Sequence, residues 1–321
     1  MRKELGIFLL LVFLCIVTTL KNPLFMSRDN LHNMAQLVGM YGIFSIGMGI
    51  VIITGGIDLS VGSAFALLGV LLALMLGQWH WPQVGAAVFI IAMGFALGCL
   101  HGFLITKVGL QAFIVTLCGL LFYRGMARFI THDSTPPGLS SGDAFQGLRT
   151  LATGDIASIP YQFIILIIIA AIMWVVLHRS IYGRYLFAVG RNEEAARYSG
   201  INSRRIIASA YMLSGVLVGI SAILLAFYTP SISPSSHGNF FELYAIAAAV
   251  LGGCSLRGGE GSIIGILIGT VLLQVLQNLV VLLGIPSELD FAVTGSVILI
   301  GVMADQLIKA RSARKKPVLA T

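Results

Sequence analysis

The sequence predicts an all-α, polytopic membrane protein of about ten transmembrane helices with both termini cytoplasmic. Three observations carry that prediction. Hydrophobic residues make up 57% of the 321 and charged ones only 10%, with a mean hydropathy of +0.95. So little charge cannot give a globule of this size a polar surface, and most of the exterior must face a bilayer. The charges are also clustered: none falls in 5–20, 30–57, 59–106, 108–123, 156–178, 206–241, 261–287 or 291–304. These gaps hold the roughly 20 apolar residues of a crossing once, or up to twice in the longest. Lys and Arg, finally, fall unevenly on alternate connections, which is the asymmetry that orients membrane helices. A closed barrel would show short alternating segments instead.

Taken in order, the spans are expected over Glu4–Leu20, Met34–Ile53, Ser60–Leu76, Pro82–Thr106, Ala112–Ile130, Tyr161–His178, Ile206–Tyr228, Phe241–Cys254, Ser262–Leu283 and Glu288–Ile308. The first follows Arg2 and Lys3, a start that would also suit a signal peptide. Thr18–Lys21 offers no small-residue cleavage site, however, so the segment is expected to be retained. With the N-terminus inside, Arg2, Lys3, Lys107, Arg257, the arginines of 179–205 and the basic tail from Lys309 share the inner side. Lys21, Arg28 and Arg149 lie outside, and Arg124 and Arg128 near the outer end of the fifth span. Residues 1–321 read as one transmembrane domain, with 179–205 its longest cytoplasmic loop and 131–160 an outer loop. The net charge of +7 reflects this anchoring and gives no reason to invoke nucleic acid.

Between the second and third spans, Gly55 and Gly56 interrupt the apolar runs, and Asp58 or Ser60 is placed to cap the next helix. One reading is a tight cytoplasmic hairpin; the other is a broken helix lining a solute path, with Asp58 holding the break open. Glu242 is another acid near a helix end. Gln274, Gln277 and Asn278 recur three to four residues apart on the ninth span, hence on one face. Such neutral amides suit either a hydroxyl-rich solute or hydrogen bonds between helices. Around that span Gly252, Gly253, Gly258, Gly259, Gly261, Gly265 and Gly269 form a small-residue pattern that favours close helix packing. The Ser-rich stretch Ser231–Asn239, like the Pro- and Ser-containing His132–Pro160, reads as an exposed outer loop.

The cytoplasmic loop encodes a short helix at both ends. Asn192 suits an N-cap, Glu193 and Glu194 place negative charge in the first turn, Ala195, Ala196 and Arg197 continue it, and Gly200 suits the left-handed C-terminal position. A helix of about two turns is marginal alone and must pack on the membrane surface, on its own neighbours, or on a separate cytoplasmic subunit.

Several chemistries are missing. There is no Gly-rich phosphate loop, no Gly-x-Ser-x-Gly and no His-Glu-x-x-His, so no catalytic residue is assigned and no enzyme is expected. Cys15, Cys99, Cys118 and Cys254 lack ligand spacing and no metal site is expected. Composition alone leaves a polytopic carrier or channel of neutral solutes, an ion-coupled secondary transporter included.

The stretch Gly190–Asn202, reading Gly-Arg-Asn-Glu-Glu-Ala-Ala-Arg-Tyr-Ser-Gly-Ile-Asn, closely resembles the coupling-loop signature of ribose-type ABC transporter permeases, the membrane subunits of bacterial sugar importers. Thr54–Ser63, Glu242–Gly253 and Gly258–Ser262 resemble the same family, in family order over nearly the whole chain. The resemblance implies a permease subunit in the inner membrane, partnered by a second permease copy or sister permease. It further implies ATP-binding subunits that hold ATP and Mg, a periplasmic or lipid-anchored solute-binding protein met at loop 131–160, and no cofactor in this chain. It makes Asn192–Arg197 and Gly200 the coupling segment and a ribose-like sugar the cargo. Other permeases of the class carry other small solutes, such as branched-chain amino acids or an autoinducer. One departure is Tyr244, where family sequences usually carry an acid.

Overall fold

The computed structural model describes residues 2–136, 139, 145–229 and 231–286, with isolated positions from 289 to 303. Its helices are α1 (Arg2–Lys21), α2 (Arg28–Ile53), α3 (Val61–Gly77), α4 (Gln83–Phe103), α5 (Ala112–Thr131), α6 (Gln146–Thr153), α7 (Tyr161–His178), α8 (Ile181–Arg191), α9 (Glu193–Tyr198), α10 (Ser203–Tyr228), α11 (Phe241–Leu251) and α12 (Ile263–Leu282). Among the described residues six helices are long and apolar enough to cross a bilayer: α2, α4 with its π-helical continuation Leu104–Val108, α5, α7, α10 and α12. The apolar helices of α1, α3 and α11 are shorter. An all-α polytopic membrane protein is thus what the fold shows; the tenth expected span, Glu288–Ile308, lies outside the described residues but for isolated positions.

Two helices start earlier than hydropathy suggests, each because a cap supplies a start. The Ser27 hydroxyl accepts from the Asn30 amide at 3.3 Å, so α2 begins at Arg28 rather than Met34. Asn202 accepts from the Arg205 amide at 3.1 Å, so α10 begins at Ser203. The expected span Phe241–Cys254, by contrast, ends at Leu251. Its 11 residues rise only about 16 Å, half of the hydrocarbon core.

The remaining depth is covered by a segment that composition places outside. Ser231–Asn239 does not stay at the surface; Ile232 and His237 pack against Gly69 of α3, and the Gly238 carbonyl lies against Gly62. At 1.5 Å per residue those glycines stand about 12 Å and about 22 Å from the C-terminal end of α3 at Gly77. The chain after α10 therefore dips into the molecule before α11 begins. Bare glycine surfaces on α3 make room for it.

Packing elsewhere follows small-residue seams. Gly94, Gly98 and Gly102 of α4 meet Gly215, the Tyr211 carbonyl and Ala208 of α10 so closely that added Cβ atoms would overlap the facing backbone. Gly265 and Gly269 of α12 meet Gly252 and the Ala248 carbonyl in the same way, which bears out the packing reading of that glycine pattern. Helix α2 is almost wholly buried and touches α7, α10, α11 and α12; α4, α5 and α7 keep broad apolar outer faces. Helix α6 and a two-stranded hairpin, β1 (Asp155–Ile156) with β2 (Ile159–Pro160), occupy part of the stretch 131–160. Arg28 hydrogen-bonds the Ser158 hydroxyl at the hairpin tip, and His32 lies 3.2 Å from the Ser158 carbonyl.

Candidate functional site

The two interrupted stretches, residues 54–60 and 231–240, meet inside the bundle. The N-termini of α3 and α11 face each other there: Gly62 is in contact with the Glu242 carboxylate and with Gly238. From the N-terminal end of α12 to Gly269, across to Ala248 and on to Glu242, the helical rise adds to about 18 Å, so the meeting point lies well inside the bundle. The positive ends of two short helices converge on this point, each with an acid beside it. Asp58 is 6% exposed and Glu242 8%.

Asp58 serves the local fold directly. Its Oδ1 accepts from the Ser60 amide at 3.0 Å and from the Ser60 hydroxyl at 2.7 Å. Ser60 is the residue ahead of α3 but its side chain caps nothing; Asp58 fixes the approach to the helix by holding Ser60 rather than by capping a first-turn amide. The stretch is no surface hairpin either. The Ile57 carbonyl accepts from Tyr211 of α10 at 3.2 Å and lies 3.4 Å from the Thr116 hydroxyl of α5. These bonds satisfy backbone that has no water at this depth.

Around Asp58 stands a polar chain that sequence reading missed. His101 of α4 brings Nδ1 to 3.9 Å from Asp58 Oδ2, and its Nε2 is 2.9 Å from the Tyr123 hydroxyl of α5. Tyr211 sets its ring edge-on to the imidazole at 6.3 Å. The available signal was an imidazole near the end of the charge-free stretch 59–106, where a polar group must find a partner. In sequence Arg124 marks only the end of the fifth span. It donates to the carbonyls of Pro234 at 3.2 Å and His237 at 2.8 Å, and Glu242 is a charge neighbour.

The amide face of α12 is divided. Asn278 exchanges hydrogen bonds with Asn30 of α2 at 2.7 and 3.0 Å, a tie between helices. Gln274 is buried and Gln277 half-buried. Tyr244 joins an aromatic group, edge-on to Tyr41 at 6.3 Å, with Phe44 and Phe241 stacked at 5.8 Å. Cys15, Cys99, Cys118 and Cys254 are all free.

Away from this centre, α9 forms as its caps dictate. Asn192 accepts from the Ala195 amide at 2.9 Å, and Glu193 accepts from Ser203 at 2.9 Å. The chain leaves through Gly200 at φ +83°, with the Gly200 amide on the Arg197 carbonyl and the Ile201 amide on that of Ala196, both at 3.0 Å. Only Ala196 is buried; Asn192, Glu193, Glu194, Ala195, Arg197 and Gly200 are exposed, and Tyr198 is 85% exposed. Just before α9, Gly190 is wedged against the Ile53 carbonyl and the Gly259 amide, which bond each other at 2.8 Å. The C-terminal ends of α2 and α8 and the loop preceding α12 are thereby knotted together.

The family described as branched-chain amino acid transport system, permease component, matches residues 30–302. The chain belongs to this family of transport-system permease components and is a multi-pass protein of the bacterial inner membrane, a transporter subunit and not an enzyme. It is 38% identical over 304 residues to the ribose import permease protein of Bacillus subtilis (strain 168), covering 95% of this chain and 93% of that one. It is 37% identical over 308 residues to its namesake in Escherichia coli (strain K12), with 95% and 94% covered. The fructose import permease protein of Bifidobacterium longum (strain NCC 2705) is 36% identical over 292 residues, with 89% and 80% covered. No solved structure matches the chain.

Proposed function

We propose that this chain is the membrane-spanning permease subunit of an ATP-driven importer carrying a sugar, a ribose-like monosaccharide, inward across the cytoplasmic membrane. Import of ribose and of fructose by its relatives supports the cargo class. The observation that carries the rest is the exposed peg, α9: a capped two-turn helix held by the buried Ala196 and the Ser203–Glu193 hydrogen bond, with Glu194, Arg197 and Tyr198 exposed among the described residues. Coupling is assigned to Asn192, Glu193, Glu194, Ala195, Ala196, Arg197 and Gly200. ATP-binding subunits dock there and hold the ATP and Mg, so this chain needs no cofactor. A second permease copy or sister permease completes the membrane core, and a periplasmic or lipid-anchored binding protein meets loop 131–160.

The whole chain, 1–321, acts as one permease domain of ten crossings with both termini cytoplasmic, in keeping with the excess of Lys and Arg on the side of α9. Asp58, Ser60, Glu242, Gln274, Gln277 and Asn278 are assigned to the translocation path. Within it the buried ones act by shaping the interrupted spans rather than by open contact with solute, and Asn278 by its tie to Asn30. A branched-chain amino acid as cargo is the second reading, favoured by the family's description.

Reconstitution with the ATP-binding subunits and binding protein that co-purify with this chain tests the reading. Uptake of ribose or fructose that requires ATP is expected; uptake by this chain alone, driven by an ion gradient and indifferent to ATP, defeats it. Leucine uptake in place of sugar uptake would move the cargo to the second reading.

A further inference from the structure

We infer that Ser235, Ser236 and Asn239 line the solute path, on the dipping segment that precedes α11, and contact the solute as it passes. This deepens the sugar-import reading and rests on it. All three side chains are exposed at the outside of the chain. Their segment is nevertheless deep: Ile232 and His237 pack on Gly69, and Gly238 on Gly62, about 12 and about 22 Å from the C-terminal end of α3. Hydroxyl and amide groups at that depth are costly against lipid. Their surroundings are therefore a water-filled path.

The segment is built to hold this position. The Arg124 guanidinium satisfies two of its carbonyls, Pro234 and His237. The Ser233 and Ser235 hydroxyls lie 3.1 Å apart, and the Asn239 amide returns to the Ser236 carbonyl at 3.1 Å. The turn closes on Phe240 at φ +66°, a conformation that bulky side chains rarely adopt; its ring stays 45% exposed beside Asn239. Behind this wall, His237 Nε2 is buried and makes no hydrogen bond among the described residues. Hydroxyls, an amide and an aromatic ring together suit a polyhydroxylated solute, whose hydroxyls need donors and acceptors and whose C–H faces pack on rings. They offer no ion-pair partners for the two charges of an amino acid.

The complete importer is reconstituted in vesicles with one added cysteine at a time, Ser236→Cys or Asn239→Cys, in a parent carrying Cys15→Ser, Cys99→Ser and Cys118→Ser, which keeps only the buried native thiol Cys254. A water-soluble thiosulfonate is added from the outside, and uptake of ribose and fructose is followed. Both cysteines should react, the parent should not, and reaction should reduce uptake at least tenfold. Ser236→Leu should do the same, while Ser236→Thr should retain uptake. Failure of the reagent to reach either cysteine, with or without cross-linking between permease copies, overturns the inference, as does native uptake after modification. Access of the reagent is scored whether or not sugar moves. An unmodified importer that carries neither sugar refutes the functional reading alone, whereas normal uptake by Ser236→Leu refutes only this one.

Discussion

Asp58 shows what one side chain does at the centre of the bundle. Its carboxylate holds the Ser60 amide and hydroxyl in a site closed to water. Asp58→Ala therefore leaves buried donors unpaired, at a cost of about 1–3 kcal/mol, and releases the stretch that joins α2 to α3. Uptake by the reconstituted importer should fall at least tenfold while the protein remains in the membrane; a parallel loss from the membrane would assign Asp58 to assembly alone. Tyr123→Phe removes one bond of the His101 chain and should cost about 1 kcal/mol, read as a lower unfolding temperature of the purified protein. Arg124→Gln removes the charge-assisted bonds that hold Pro234 and His237 and exposes Glu242 to an unbalanced site. Vesicles bearing it should leak solute without ATP, an outcome that simple misfolding would not produce at equal incorporation.

At the level of elements, the seam of α4 on α10 is set by backbone contact. Gly98→Val places branched atoms where the Tyr211 carbonyl lies, and overpacking of this kind costs about 1–3 kcal/mol or more. Loss of folded protein in mild detergent is the expected reading. Helix α9 depends on capping instead: Asn192→Ala should destabilise it by about 1 kcal/mol, lowering uptake per ATP hydrolysed with little change in the membrane level. These two elements also show what was legible in sequence. Asn192, the paired acids and Gly200 specify α9 through contacts within nine residues, so local chemistry suffices to read it. Tyr161–His178 is equally plain, because Pro160 and Arg179 bracket an uninterrupted apolar run. The shortness of α11 is not legible, since its residues are as apolar as those of any span. What makes up its missing length is a serine-rich stretch that reads as surface loop, and its burial depends on Gly62, Gly69 and Arg124, far away in the chain. Pairings such as His101 with Asp58 and Tyr123 are hidden for the same reason: they join three separate segments.

Over the whole molecule, the heavily buried α2 is enclosed by α7, α10, α11 and α12, while α4, α5 and α7 turn Phe89, Phe95, Phe113, Phe122 and Ile168 outward. Trp79 and Trp81 stand exposed just beyond the C-terminal end of α3, where amphipathic rings mark the membrane interface. Under the proposed topology, a reporter fused after Thr321 should be active only in the cytoplasm; an externally active fusion would mean an odd number of crossings. The knot at Gly190 gives the molecule its mechanics. One glycine clamps the last carbonyl of α2, whose continuation is the Asp58 stretch, to the loop that links α11 with α12. A sideways shove on the peg is therefore not absorbed by slack in a flexible tether. Under the proposed coupling, a push on α9 should reach both halves of the interrupted centre together, as a crank would deliver it.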